Sequence, residues 1–331
     1  MKFPILPLLT AQLTGRAAVL SANARAAVAG KTYVITGASS GFGKGVALEL
    51  AAMRANVVLA ARRTGALDAV AAEATAKGGN ALVVTTDVSR QEEVQRLLDT
   101  AVARFGRVDV WINNAAAGAI GVFDTIPVED HARVVDVNLK GLIYGSHVAL
   151  RQFRKQGAGT LVNMGSVESV VPQAYHTSYS VTKAATLALG RALNEELRLT
   201  GARNIKVATV LPWAADTPFF THAANYSGGT PRMPLMDEPG KVVDAIVGVS
   251  VHPQEELAAG WKAKAACAGA RLSPDLANRF AGNVMHHYQF DTAPPAPVTD
   301  GSLHRAMLEG TGIDDGHRDR IERENAARRG N

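Results

Sequence analysis

The chain has 331 residues, of which 47% are hydrophobic and 20% charged, a balance that supplies a large core and excludes wholesale disorder. The net charge of +5 is not gathered into a block and only 5% of residues are aromatic, so no nucleic-acid partner is expected. The single cysteine, Cys267, cannot form an internal disulfide, which fits a reducing, cytoplasmic setting.

Residues 1–30 read as a leader or a surface helix. Lys2 precedes a short apolar stretch, and Ala22-Asn23-Ala24 resembles a small-residue cleavage site. Arg16 interrupts the pattern, so a surface helix is favoured, with membrane contact through residues 1–20 as the alternative. No apolar run reaches the roughly 18 residues needed to span a bilayer.

From residue 31 the chain alternates. Tyr33-Val34-Ile35 is a buried run ending in Thr36-Gly37, and a helix starts near Phe42. Further strands are predicted at 56–60, 81–85, 108–112, 160–164 and 205–211. Helices are predicted at about 66–77, 91–105, 129–156 and 178–199. Strands that are continuously apolar are buried on both faces, as in a parallel sheet. The expected fold class is therefore α/β, a doubly wound, mostly parallel sheet with helices on both faces. Ligands should bind at the carboxyl ends of its strands. Residues 31–260 form the catalytic domain in this reading, and the Pro- and Gly-rich stretch 212–235 is its lid loop. Residues 261–290 read as a helical C-terminal extension. Residues 291–331 read as a Pro-rich linker and a polar tail, the part from about 300 onward forming a tail or one frayed helix.

Two motifs carry chemistry. Thr36-Gly37-Ala38-Ser39-Ser40-Gly41-Phe42-Gly43 lies between a strand and a helix. Glycines there let the backbone approach a pyrophosphate, and the helix N-terminus offers N–H donors; a plain tight loop is the alternative. Tyr179 and Lys183 stand at i and i+4 on a helix, one turn apart on one face. A nearby ammonium favours phenolate, which would make the tyrosine a usable general acid/base. The nine histidines show no metal-ligand spacing, so no metal is expected.

Together these residues resemble the short-chain dehydrogenase/reductase family over about residues 31–260. The order is that of the family: the glycine loop, Asp87-Val88 after the third strand, and Asn113-Asn114-Ala115-Ala116 after the fourth. Asn138, Ser166, then Tyr179 and Lys183 follow. The separations 179 − 166 = 13 and 179 − 138 = 41 match as well. The resemblance implies a Rossmann fold and a nicotinamide cofactor. It assigns proton transfer to Tyr179 and implies that Lys183 lowers the phenol pKa and binds the nicotinamide ribose. It implies that Ser166 binds the substrate oxygen, and that Asn138 holds a relay water. The implied cofactor-binding set is Gly37, Ser39, Ser40, Gly41, Phe42, Gly43, Arg62, Arg63, Asp87, Val88, Asn114, Ala115, Ala116, Tyr179, Lys183, Pro212 and Thr217. Ala116 and Trp213 both depart from the pattern, standing where the family has glycine.

Strand two ends in Ala60-Ala61-Arg62-Arg63 without the acid that grips an NAD ribose. Arg62 offers a guanidinium to a 2′-phosphate, so NADP(H) is preferred over a still possible NAD(H). Glu168, His176, Trp213 and Phe219 are candidate substrate contacts. With Phe220, Tyr226 and Met233 in the lid loop, the expected substrate is an apolar or aromatic-bearing alcohol or ketone. A homodimer or homotetramer through the two long helices is expected. A non-catalytic nucleotide-binding regulator on the same fold is the alternative.

Overall fold

The computed structural model describes residues 21–329. Residues 1–20 lie outside the described residues, and with them the leader and membrane-contact readings. A short helix α1 (Ala22–Ala26) leads into the domain, with Ala24 and Val28 buried.

The elements alternate as the sequence predicts: β1 (Thr32–Thr36), α2 (Gly41–Ala52), β2 (Asn56–Ala61), α3 (Thr64–Ala76), β3 (Asn80–Thr85), α4 (Gln91–Phe105) and β4 (Val110–Asn113). The chain continues through a short β5 (Ala119–Ile120), α5 (Val128–Val135), α6 (Gly141–Gln156), β6 (Gly159–Met164), α7 (Thr177–Leu199) and β7 (Ile205–Pro212). After β7 come α8 (Phe219–His222), β8 (Ala224–Asn225), α9 (Pro239–Val251), β9 (Glu256–Ala259), α10 (Gly260–Leu272), α11 (Pro274–His286) and α12 (His317–Arg329).

Seven strands form one parallel sheet in the order β3-β2-β1-β4-β6-β7-β9. Alternate residues of each strand feed two cores. Tyr33, Ile35, Val57 and Leu59 face α2, α3 and α9. Val34, Val58, Trp111 and Leu161 face α4 and α6. The strand order reverses between β1 and β4, so the loops after these two strands diverge and open a cleft. Near it, β5 and β8 pair as a two-stranded parallel ribbon.

Two expectations need correction. The helix predicted over 129–156 is interrupted by a π-helical turn, Asp136–Lys140, between α5 and α6. Such turns add a residue to the helix and are frequent at functional sites; this one carries Asn138. Second, the predicted linker and tail does not stand free. Thr230 N donates to Pro294 O at 2.7 Å, and Ser302 N to His222 O at 2.8 Å. Leu303 and Ile321 are buried. Asp216 accepts the first amides of α12, from His317 N at 2.9 Å and Arg318 N at 3.0 Å. Arg232, only 1% exposed, pairs with Glu324 of α12 at 3.0 Å and donates to Asn325 at 2.7 Å. The segment is polar because it is anchored by ion pairs and main-chain groups, which leave no apolar period to read.

Candidate active site

The turn after β1 is built for close approach. Gly37 has φ +67, and a Cβ there would lie 2.8 Å from Ala115 Cα. A Cβ on Gly43 would lie 2.2 Å from Gly37 O. Thr36 Oγ1 accepts from Asn114 N at 3.0 Å and Ala115 N at 3.1 Å, which locks the β1 and β4 loops together. Asn114 Nδ2 donates to Thr36 O at 2.9 Å. The result is a backbone cradle at the N-terminus of α2, where donors and helix dipole favour phosphate.

Every site residue singled out from the sequence lines one cavity of about 710 Å³, except Gly43, Asn138 and the lid-loop Tyr226, whose hydroxyl donates to Asp130 instead. Gly43 packs beneath the loop. Asn138 borders a small adjoining cavity of about 10 Å³ that it shares with Lys183 and Thr186.

At one end of the main cavity stand Arg62, Arg63 and Asp87. Asp87 pairs with Arg133 at 2.7 Å and accepts from Ser89 Oγ at 2.7 Å. Burial opposes its charge, yet the hydrogen bonds from Ser89 and Arg133 hold its carboxyl below the usual range. Arg63 donates to Ser39 Oγ at 3.1 Å and Ser40 Oγ at 2.8 Å. Arg62 differs from expectation: its guanidinium donates to the main-chain carbonyls of Ser302 and Leu303.

The middle of the cavity holds Ser166, Tyr179 and Lys183. Ser166 caps a short turn and accepts from Glu168 N at 3.1 Å. Tyr179, on the first turn of α7, stacks on His176 with ring centres 4.4 Å apart and an interplanar angle of 10°. Phe219 of the lid loop lies 5.2 Å from the same ring. Lys183 is buried. Its Nζ donates to Met164 O at 2.6 Å and sits 5.2 Å from the Tyr179 ring centre. Asn138 ties the loop after β4 to α7: Ala117 N donates to its Oδ1 at 2.7 Å, while its Nδ2 donates to Ala117 O at 2.8 Å and Thr182 Oγ1 at 3.1 Å.

Glu168 is a buried carboxylate beside this group. It meets His176 Nδ1 at 3.1 Å and accepts from Ser180 Oγ at 2.6 Å. Burial pushes the Tyr179 phenol well above its ordinary range, Glu168 pushes it further, and Ser166 draws it back. Burial brings Lys183 down to about 8, with Glu168 opposing the fall. Burial and the Glu168 carboxylate thus act against the lowering of the phenol pKa expected from Lys183.

The far end of the cavity is apolar. Trp213 donates from its indole to Leu235 O at 3.1 Å, which pins the lid loop. Phe219, Phe220, Met233, Leu276, Ala277, Phe280, Val284 and Met285 complete the wall. Sequence reading missed the contribution of α11 and of Ser302, Ala306 and Met307, which also line the cavity. The apolar residues of α11 were visible as helix, but nothing in their spacing marked the surface they cover.

A family model described as short chain dehydrogenase matches residues 31–226. The chain belongs to the short-chain dehydrogenase/reductase family. It is 34% identical over 279 residues to an uncharacterized oxidoreductase, YxnA, of Bacillus subtilis (strain 168), covering 83% of this chain and 78% of that one. It is 36% identical over 192 residues to 3beta-hydroxysteroid dehydrogenase 1 of Eggerthella lenta, covering 57% and 72%. The fold is similar to that of an alcohol dehydrogenase from the archaeon Thermococcus sibiricus, complexed with 5-hydroxy-NADP. That match has a TM-score of 0.59 and 27% identity, and covers 70% of this chain and 94% of that one. This short-chain dehydrogenase/reductase is thus an NAD(P)-dependent oxidoreductase with a Rossmann-type sheet. Among its described residues no helix is long and apolar enough to cross a membrane.

Proposed function

We propose that the enzyme interconverts a carbonyl and a secondary alcohol on an apolar or ring-bearing small molecule, with NADP(H) preferred over NAD(H). One observation carries the reading: Ser166, Tyr179 and Lys183 meet in a single cavity that has a glycine cradle at one end and an apolar wall at the other.

The cradle fits a dinucleotide, because Gly37 and Gly43 leave open the backbone that any Cβ would block. Gly41, Phe42 and the Ser39 and Ser40 hydroxyls would hold its phosphates, Val88, Asn114, Ala115 and Ala116 its adenosine side, and Lys183, Pro212 and Thr217 its nicotinamide half. A bound nicotinamide supplies or accepts the hydride. The chain does the rest. Tyr179 moves a proton at its phenol oxygen, and Ser166 donates to the substrate oxygen where negative charge develops. Lys183 holds positive charge beside the ring. The small cavity between Asn138 and Lys183 is near the size of one water, which suits a relay from Lys183 outward. Burial and Glu168 both favour the protonated phenol, the form that donates when a carbonyl is reduced.

Cofactor preference rests on the adenosine end. β2 ends at Ala61 with no acid, and Arg63 lies between two serine hydroxyls in an arrangement that suits a 2′-phosphate better than a bare ribose. Arg63 therefore replaces Arg62 as the phosphate reader in this proposal. The apolar wall favours a substrate of the polycyclic kind named for the Eggerthella relative. Exposed Ile143 on α6 and Val181 on α7 support pairing of two copies through these helices. Incubating pure protein with NADPH or NADH and a panel of cyclic and short-chain ketones tests the reading. Loss of reduced-cofactor absorbance, faster with NADPH and with cyclic ketones, is expected; no turnover with any ketone would contradict it.

A further inference from the structure

Residues 301–312 run across the adenosine end of the cleft; Leu303 is buried and His304 pairs with Asp130 at 2.7 Å, and most of the remaining contacts are made by their main-chain carbonyls. Arg62 donates to Ser302 O and Leu303 O, and Arg133 Nε donates to Leu303 O at 3.0 Å. Arg63 donates to Glu309 O at 2.7 Å and to Gly310 O at 3.2 Å. Gly41 N, the first amide of α2, donates to Gly312 O at 2.8 Å. Ser302, Ala306 and Met307 face the same cavity as Arg62 and Asp87.

We propose that this segment is a cofactor-binding strap: a fourth wall that closes over the adenosine end of a nicotinamide dinucleotide and sets its rate of release. The inference rests on the nicotinamide reading above. Three guanidiniums gather at this end against the single carboxylate Asp87 that pairs with one of them. Carbonyl latches fix the guanidiniums without neutralising them, since a carbonyl contributes a dipole and no net charge. The positive charge remains for a phosphate-bearing ligand. The strap reaches its bed only because two glycines let it. Gly301 has φ +55, and a Cβ there would lie 2.4 Å from His222 O; Gly310 has φ +63, and a Cβ there would lie 2.6 Å from His222 Nε2. A side chain at either position strains the backbone and strikes α8. The segment has no helix or strand between residues 301 and 312, so beyond the anchor at Leu303 and His304 its place depends on these latches. Segments of that kind commonly gate cofactor or product release.

Release of NADPH and of NADH, followed by stopped-flow displacement, tests the strap. Gly310→Val should speed release of both cofactors at least about tenfold, the scale of one lost charge-assisted hydrogen bond. Leu308→Ala, on the strap but 93% exposed, should leave release unchanged. In wild-type protein, amides of 302–312 should gain protection from hydrogen exchange on adding NADPH. Ala306→Asp sets a carboxylate on the exposed wall without disturbing the latches. It should weaken NADPH binding about tenfold even if Gly310→Val fails to fold. Wild-type cofactor binding with unaltered release in Gly310→Val, or unaltered affinity in Ala306→Asp, overturns the strap alone. Wild-type protein that binds neither cofactor overturns the nicotinamide reading and the strap with it.

Discussion

The two ends of the cavity are built by opposite means. The reactive end is assembled from strand termini and the first turns of helices: Ser166 after β6, Tyr179 and Lys183 on α7, Asn138 in a π turn. Each position is dictated by the parallel sheet, and each side chain has a chemical duty that few residue types can fill. The covering end is assembled from residues 213–235 and 260–329, which add no strand to the seven-stranded sheet. It is held by carbonyls on Arg62 and Arg63, by amides on Asp216 and by one buried arginine, Arg232. On the proposed reading, the sheet-built part sets the reaction type, whereas the cover sets what is retained and for how long.

The contrast can be broken at three places. The largest effect is expected at Arg232. Removing the arginine by Arg232→Ala empties a buried site and leaves Glu324 with only the longer pair to Arg320 at 3.6 Å, and should lower stability by about 3 kcal/mol, the low end of the range for breaking a buried pair. Denaturant titration would show it. A loss within 0.5 kcal/mol, as at ordinary surface sites, would mean that α12 is not integral to the domain. Next is Arg62. As a latch for the strap, Arg62→Ala should weaken NADPH and NADH alike, by about 1.5–3 kcal/mol for a hydrogen bond to a charged group. Arg63→Ala should weaken NADPH more than NADH. Fluorescence titration with both cofactors separates these outcomes, and selective loss of NADPH in Arg62→Ala would return the phosphate to Arg62. The smallest effect is a shift in pH. Glu168 stabilises the Lys183 ammonium and disfavours the Tyr179 phenolate, so neutral glutamine lowers both groups' pKa values. Since Lys183 already stands at about 8, the alkaline limb of kcat/KM for reduction should move to lower pH in Glu168→Gln. An unmoved or rising limb would deny Glu168 an electrostatic part.

The reactive end was legible in the sequence because its constraints are local. Tyr179 and Lys183 share a helix face by spacing alone, and Gly37 and Gly43 are required where backbone meets backbone. The parallel, doubly wound class and six of the seven strands of the sheet followed from continuous apolar runs. The interruption at Asp136–Lys140 was not legible, since one extra residue in a helical turn leaves apolar spacing nearly unchanged. The cover was read least well. Leu303 is a lone anchor in a polar stretch, and a carbonyl that accepts from Arg62 leaves no mark on residue type. Glu168 was named as a substrate contact. Its coupling to Tyr179 and Lys183 depends on the fold bringing the turn after β6 against α7, which no spacing encodes.

The central claim is that Tyr179 is the proton-transfer group at the sheet-built end, and Tyr179→Phe tests it most directly. The substitution keeps the ring that stacks on His176 and removes the phenol. NADPH affinity should stay within about twofold of wild type, while turnover of a reducible ketone falls at least about a hundredfold, as for a lost general acid. Turnover near the wild-type rate with intact cofactor binding would contradict the claim.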